Sequence, residues 1–368
     1  MLIKPASSTC NLHCKYCFYS DVAHNRENPN YGFMSSDTLD SIMKKVFQFA
    51  TIQCSFGFQG GEPTLAGLDF YKNVVALQKK YNQRGIAVHN AIQTNGYIID
   101  ADWAEFLAEN NFLVGLSLDG TKEIHNTNRV DFANEGTFTK VMKTAELLNA
   151  YKVEYNILTV VTSQVARHIT EIYNFYKKNN FIYQQYIPCL DPLGVQRGSL
   201  KYSLTPELFE KFLNTLFELW YRDISSGSFV YNRYFENLIG MLAGYKPESC
   251  GTSGVCSNQL IIEANGDVFP CDFYVIDKYK LGNINDMPLC ELAKNRTSEN
   301  FIAQSMNLTS QCRECKWLSI CHGGCRRDRD CWTEIGQNYY CQSYKGFFQK
   351  NIGKLLELSK TVDNPNKR

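Results

Sequence analysis

The sequence lacks any long hydrophobic run. Nowhere do about 18 apolar residues follow one another, as a bilayer-spanning helix requires, and the opening Met1-Leu2-Ile3-Lys4-Pro5 has no secretory apolar core. It also lacks a charge excess: 38 Lys and Arg meet 37 Asp and Glu, a formal net charge of +1. That balance gives no electrostatic case for a nucleic-acid or membrane partner, and a cytoplasmic protein is expected. There is no long internal repeat and no low-complexity segment. At 368 residues, 44% hydrophobic and 20% charged, the chain can bury the core of one large domain and a smaller one.

Cysteine is what it has in excess. Fifteen are present, and a reducing compartment points such thiols to metal ligation or redox work, away from disulfides. Cys10, Cys14 and Cys17 stand near the start, ten more lie between Cys250 and Cys341, and only Cys54 and Cys189 fall between.

Up to about residue 225, short apolar runs alternate with longer amphipathic ones. Strands are expected at Leu2–Lys4, Cys54–Gln59, Ala87–Gln93, Phe112–Leu118, Glu154–Val161 and Phe181–Pro188. Helices are expected near 36–50, 68–83, 101–110, 137–151, 166–179 and 205–225; the first opens with Ser35-Ser36-Asp37, good N-cap types. Six strand-then-helix units imply a parallel α/β sheet, too few for a closed eight-fold barrel, so an open partial (β/α)6 barrel over 1–225 is expected. Polar and glycine-rich segments follow the strands: Gly60-Gly61-Glu62-Pro63, Thr94-Asn95-Gly96, Asp119-Gly120, Thr162-Ser163 and Cys189-Leu190-Asp191-Pro192. In parallel α/β folds the C-terminal strand ends form the active face, though such residues also simply favour turns. From 226 to 368 an aromatic-rich helix leads into a Cys-rich domain, with a hairpin signal at Asn265-Gly266 and a C-terminal helix.

Cys10-x3-Cys14-x2-Cys17 puts three thiolates on one loop after the first strand. A structural zinc site wants four ligands, which His13 or His24 could complete. Three thiolates around a four-iron cluster would instead leave one iron open to hold a cofactor. With Tyr16 before the last cysteine, and with Gly60-Gly61-Glu62-Pro63, this pattern resembles the radical S-adenosylmethionine (SAM) superfamily. The resemblance implies that the open iron chelates SAM and that an electron from the cluster cleaves it to a 5′-deoxyadenosyl radical. It also implies that Tyr16 lies against the adenine, that Gly61 with neighbours Gln59 and Glu62 holds the methionine end, that Ser117 and Arg129 contact ribose and carboxylate, and that Leu190 touches the adenosyl group. For Arg129 a surface ion pair is the plain alternative.

Cys312-x2-Cys315-x5-Cys321-x3-Cys325, with Cys341 beyond it and Cys256, Gly266 and Cys271 before it, is similar to the seven-cysteine SPASM extension of many radical SAM barrels. Cys250 makes eight, enough for two fully ligated [4Fe–4S] clusters. Spacing does not assign ligands to clusters. The resemblance implies Cys250, Cys256, Cys271 and Cys325 for one, and Cys312, Cys315, Cys321 and Cys341 for the other. Cys54, Cys189, Cys290 and Cys331 remain as bystanders.

Within that group the chain is similar to the anaerobic sulfatase-maturating enzymes, through Cys14-Lys-Tyr-Cys17-Phe18-Tyr19, Gln59-Gly-Gly-Glu-Pro-Thr-Leu-Ala-Gly67, Gln93-Thr-Asn-Gly96, Val114-Gly-Leu-Ser-Leu-Asp-Gly120, Cys271-Asp-Phe-Tyr274 and Asn338-Tyr-Tyr-Cys-Gln-Ser-Tyr344. The stretches at 193–200 and Asp328–Trp332 are more individual. The resemblance implies oxidation of the Cys or Ser of a Cys/Ser-x-Pro-x-Arg motif to Cα-formylglycine. Its expected partners are an unfolded or nascent sulfatase polypeptide and an electron donor such as a flavodoxin or ferredoxin. Three [4Fe–4S] clusters and SAM are the expected cofactors. Asp272 is the expected catalytic base, an N-cap or ion pair being its plain alternative, and Tyr19 is expected to position the peptide. The rival readings are a maturase forming a thioether or carbon–carbon bond, and a zinc-ribbon module fused to a barrel.

Overall fold

The computed structural model describes residues 1–329 and 336–362. Its strands are β1 (Leu2–Ile3), β2 (Gln53–Phe58), β3 (Ala87–Thr94), β4 (Phe112–Ser117), β5 (Tyr155–Val161), β6 (Tyr183–Pro188), β7 (Tyr231–Asn232), β8 (Ile261–Ile262), β9 (Asp267–Phe269) and β10 (Gly282–Asn283). The chain divides into two compact units. The first comprises Met1–Leu118, His125–Ile157 and Asn258–Asn300; the second comprises Asp119–Ile124, Leu158–Ser257 and Phe301–Arg368.

In the first unit β8, β1, β2, β3 and β4 run parallel, and β9 and β10 add antiparallel at the β8 edge. The register aligns Ile262, Ile3, Phe58, Ile92 and Val114 in one row across five strands, and none is more than 1% exposed. Because strand side chains alternate in direction, the next residue along three of these strands points the other way. Those residues are Glu263, Lys4 and Gln59, all polar. The apolar row thus fixes a polar row at the C-terminal strand ends.

The helices begin where hydroxyl and carboxylate side chains cap free amides. Ser35 accepts from the Thr38 amide at 3.1 Å at the start of Ser36–Phe49. Asp100 accepts from the Trp103 amide at 3.0 Å at the start of Ala101–Glu109. Helices Leu68–Tyr81 and Phe138–Ala150 also fall where amphipathic spacing puts them. Between Asn265-Gly266 and its flanks, the Glu263 amide donates to the Asp267 carbonyl at 2.9 Å. Gly266 takes φ +89°, a turn that favours glycine.

The second unit holds β6 paired in parallel with β7 and a helical layer of Ile169–Lys178, Pro206–Ser225, Arg233–Ala243 and the C-terminal Cys341–Ser359. The helix expected at 166–179 is two pieces, Ser163–Arg167 and Ile169–Lys178, interrupted at His168. Short β7 and the helices Phe18–His24 and Lys122–Asn128 escaped the sequence reading, being two to seven residues long. The fold class is the expected one, an α/β partial barrel followed by a Cys-rich region.

The second unit's core centres on Trp220, which has no exposed surface. Its ring lies 5.8 Å from Phe217 and 5.2 Å from Phe235, and its Nε1 donates to the Val230 carbonyl at 2.7 Å. Trp220→Ala removes this filling and leaves a cavity. The expected cost is about 3–5 kcal/mol in urea denaturation of the iron-loaded protein; a loss below about 1 kcal/mol would contradict the packing described.

Candidate active site and cluster sites

The cysteine loop of the first unit is held from two sides. On one side the Gly61 amide donates to Ser7 O at 2.9 Å and the Glu62 amide to Thr9 O at 2.7 Å. Gly61 leaves no alternative, since a Cβ there would stand 2.0 Å from the Thr9 carbonyl oxygen. On the other side the His13 amide donates to Val130 O at 2.7 Å and the Lys15 amide to Asn128 O at 3.0 Å. Arg129 therefore sits across from Tyr16, its guanidinium 5.5 Å from the ring centre. Both residues are at most 8% exposed, so Arg129 is not a surface residue. Ser117, at the end of β4, is also buried in this unit.

Glu62, 1% exposed, ties the strand ends together. Its Oε1 accepts from Thr64 N at 3.1 Å, Thr64 Oγ1 at 2.6 Å and Thr94 Oγ1 at 2.7 Å. Its Oε2 accepts from Asn95 N at 2.8 Å. Burial pushes this carboxyl up and the hydrogen bonds oppose the shift. One side chain thus joins the loops after β2 and β3.

Asp272 lies in the same unit, 7% exposed. Gln59 Nε2 donates to its Oδ2 at 2.9 Å, so this residue, expected beside the cofactor, turns its side chain to the carboxylate. Lys4 Nζ stands 3.3 Å from Oδ1, which is buried and takes no aligned hydrogen bond. Lys4 also lies 3.8 Å from Glu263 Oε1, and Arg26 pairs with that oxygen at 2.8 Å. Two buried cations thereby face two buried carboxylates, as burial of charge demands. Tyr19 closes the group, with Lys4 Nζ 4.6 Å from its ring centre. Loss of solvent, then the Asp272 carboxylate, push the Tyr19 phenol well above its usual range. The sequence reading missed Lys4, Arg26 and Glu263; the one signal was Lys4 and Glu263 breaking otherwise apolar strand ends.

The thiols fall into sets. Burial first, opposed by the Leu12 amide, with Glu62, Cys14 and Cys17 adding, pushes Cys10 up to about 12. In the second unit Cys312, Cys315, Cys321 and Cys341 line one hollow with Trp317, Tyr344 and Phe348. Burial, then the charges of Cys341, Cys312 and Cys315, push Cys321 up to about 11. Consecutive left-handed residues His322, Gly323 and Gly324 reverse the chain toward Cys325. A Cβ on Gly254 would meet the His322 carbonyl at 1.9 Å, so the Cys250–Cys256 segment presses on this reversal. Cys325 is raised too, by burial first, with Asp328, Cys250 and Cys256 adding. Cys271 belongs to the first unit and Leu190 to the second. Cys189 is buried, Cys54 intermediate and Cys290 exposed; Cys331 lies outside the described residues.

Burial makes Cys10, Cys321 and Cys325 resist ionising, bound cationic iron would favour their thiolates, and an all-sulfur donor set suits iron–sulfur clusters. The sequence matches the radical SAM superfamily over residues 5–176 and the iron–sulfur cluster-binding SPASM domain over 250–316. It is 50% identical to the cysteine-type anaerobic sulfatase-maturating enzyme of Clostridium novyi (strain NT), over 98% of this chain and 97% of that one. The chain belongs to the anaerobic sulfatase-maturating enzymes. The serine-type enzyme of Bacteroides thetaiotaomicron is 34% identical, over 95% of this chain and 88% of its own. A solved structure of native anSMEcpe with bound AdoMet, 48% identical, superposes with a TM-score of 0.95 over 98% of this chain and 99% of that one. This chain is therefore a radical SAM enzyme that uses a [4Fe–4S] cluster and SAM, and its SPASM domain binds further iron–sulfur clusters. Among the described residues no helix is long and apolar enough to cross a membrane.

Gly61→Ala tests the clamp on the cysteine loop. The expected outcome is loss of the SAM-responsive cluster, read by iron analysis and electron paramagnetic resonance (EPR), with the SPASM iron retained. Full iron with an unaltered SAM response would contradict it.

Proposed function

We propose that this enzyme oxidises the cysteine of a sulfatase's Cys-x-Pro-x-Arg segment to Cα-formylglycine, acting on the unfolded or nascent polypeptide. The observation that carries the proposal is the buried Asp272 carboxylate, whose Oδ1 is paired with Lys4 at 3.3 Å and takes no aligned hydrogen bond. A base must stand within reach of the proton it takes, and its surroundings must hold it there. Gln59 and Lys4 hold Asp272 from two sides, so a substrate thiol at Oδ1 can give up its proton to a fixed carboxylate. Tyr19, its ring beside Lys4 and its phenol hydrogen-bonded to Asp272, would flank the same peptide.

Cys10, Cys14 and Cys17 would hold the catalytic cluster. Cys250, Cys256 and Cys325 of the second unit would serve one auxiliary cluster, and Cys312, Cys315, Cys321 and Cys341 the other, three [4Fe–4S] clusters in all. Tyr16, Gly61, Glu62, Ser117 and Arg129 are the residues proposed for SAM: a buried guanidinium suits its carboxylate. When bound, the catalytic cluster and SAM would supply the radical that takes hydrogen from the substrate's Cβ. Asp272 would take the thiol proton and the auxiliary clusters would accept the remaining electron, leaving a thioaldehyde that water hydrolyses to the aldehyde with release of hydrogen sulfide. A flavodoxin or ferredoxin is the proposed reductant.

Cysteine is the proposed target because cysteine-type relatives from two Clostridium species share 48–50% identity with this chain, against 27–34% for serine-type ones. An anaerobic incubation with SAM, reductant and paired Cys-x-Pro-x-Arg and Ser-x-Pro-x-Arg peptides tests both points by mass spectrometry. The cysteine peptide should exchange sulfur for oxygen with loss of two hydrogens, faster than the serine peptide is oxidised. Asp272→Asn should keep its iron and SAM binding while losing roughly 10²-fold or more of that product, the scale of general-base catalysis. Undiminished turnover by Asp272→Asn would remove the assignment.

A further inference from the structure

Beside Cys10, in the first unit, two amides form a pair that the reading above does not use. The orientation of Asn95 is set by the backbone: its Oδ1 accepts the Tyr97 amide at 2.9 Å. Its Nδ2 is therefore the end that faces the cysteine loop. There it donates to Asn11 Oδ1 at 2.8 Å and lies 3.8 Å from Cys10 Sγ. Asn11 must in turn present its oxygen to Asn95, which leaves its own Nδ2 as a buried donor without a hydrogen-bond partner. Such an orphan in a folded protein asks for an explanation, and an absent acceptor is the direct one. The Asn11 carboxamide belongs to the cluster loop itself, with Oδ1 4.0 Å from the Cys10 sulfur. The Leu12 amide adds another donor to that sulfur at 3.4 Å.

We propose that the Asn95–Asn11 pair sets the reduction potential of the catalytic cluster, Asn95 Nδ2 donating to the Cys10 thiolate and Asn11 Nδ2 to a sulfur of the cluster. When Cys10 binds iron its thiol proton is gone, and the nearby N–H groups face a sulfur carrying negative charge, which strengthens the hydrogen bonds. Donors to cluster sulfurs favour the reduced, more negative state and so raise the potential. The cluster must be reduced before SAM can be cleaved, so the pair acts as a positioning element on the step that starts turnover. Glu62 is joined to it through the chain, since its Oε2 takes the Asn95 amide at 2.8 Å. The GGEP loop, the Thr94-Asn95-Gly96 turn and the cysteine loop thereby share one hydrogen-bonded path to Cys10.

The proposal rests on the iron–sulfur reading of the cysteine loop and is independent of the sulfatase substrate. Its test is an EPR-monitored redox titration of anaerobically reconstituted Asn11→Leu and Asn95→Leu, following the signal that changes on addition of SAM and counting iron in each sample. The midpoint should move to more negative potential in both, with the ratio of reduced to oxidised cluster at a fixed potential falling roughly tenfold. Asn11→Leu breaks no bond to the GGEP loop, so it carries the test should Asn95→Leu fail to take up iron. A wild-type midpoint in fully loaded Asn11→Leu would overturn the proposal. So would weakened SAM binding with the midpoint unmoved, because the amide would then serve SAM and not the cluster.

Discussion

The arrangement depends on one buried carboxylate. Glu62 has almost no exposed surface, yet it accepts four hydrogen bonds from the loops after β2 and β3. Burying such a group is costly unless its lone pairs are met. Once they are met, neither loop can shift without stranding the other. The neighbouring amides of Gly61 and Glu62 then fasten the cysteine loop through Ser7 O and Thr9 O. The position of three thiols that have no structural reason to approach one another is in this way inherited from a carboxylate that touches none of them directly.

A second requirement is charge. Desolvated thiols repel one another as they ionise, and Cys10 and Cys321 both show it in their raised proton affinity. Iron bound by these residues, as proposed, would supply the compensating charge. At Asp272 no metal is needed, because Lys4 and Arg26 balance Asp272 and Glu263. The protein thus builds one kind of site whose ligands wait for cations and another whose cations are already in the chain. The second kind suits a base that must hold a fixed position while its partners change redox state.

Much of this was legible in the sequence where chemistry demands close spacing. Cys10, Cys14 and Cys17 share a loop, the spacing that one cluster held by all three would need, and Gly61 sits where no side chain fits. The long strands β2 to β5 showed in their apolar runs, and Ser35 in its capping chemistry. What stayed hidden was long-range. Arg26 and Glu263 are 237 residues apart, and nothing local in either announces the pair. β7 is two residues long and exists only through pairing with β6. His168 interrupts a helix whose apolar periodicity runs straight through it. The direction of the Asn11 amide follows from Asn95 and Tyr97, which no spacing rule reaches.

The central claim is that the radical chemistry at the cysteine loop and the base at Asp272 act on the same substrate residue. A Cys-x-Pro-x-Arg peptide carrying deuterium at the cysteine Cβ tests this most directly, by mass analysis of the 5′-deoxyadenosine released as formylglycine forms. The account predicts deuterium in the deoxyadenosine of every productive turnover. Formylglycine accompanied by unlabelled deoxyadenosine would contradict it.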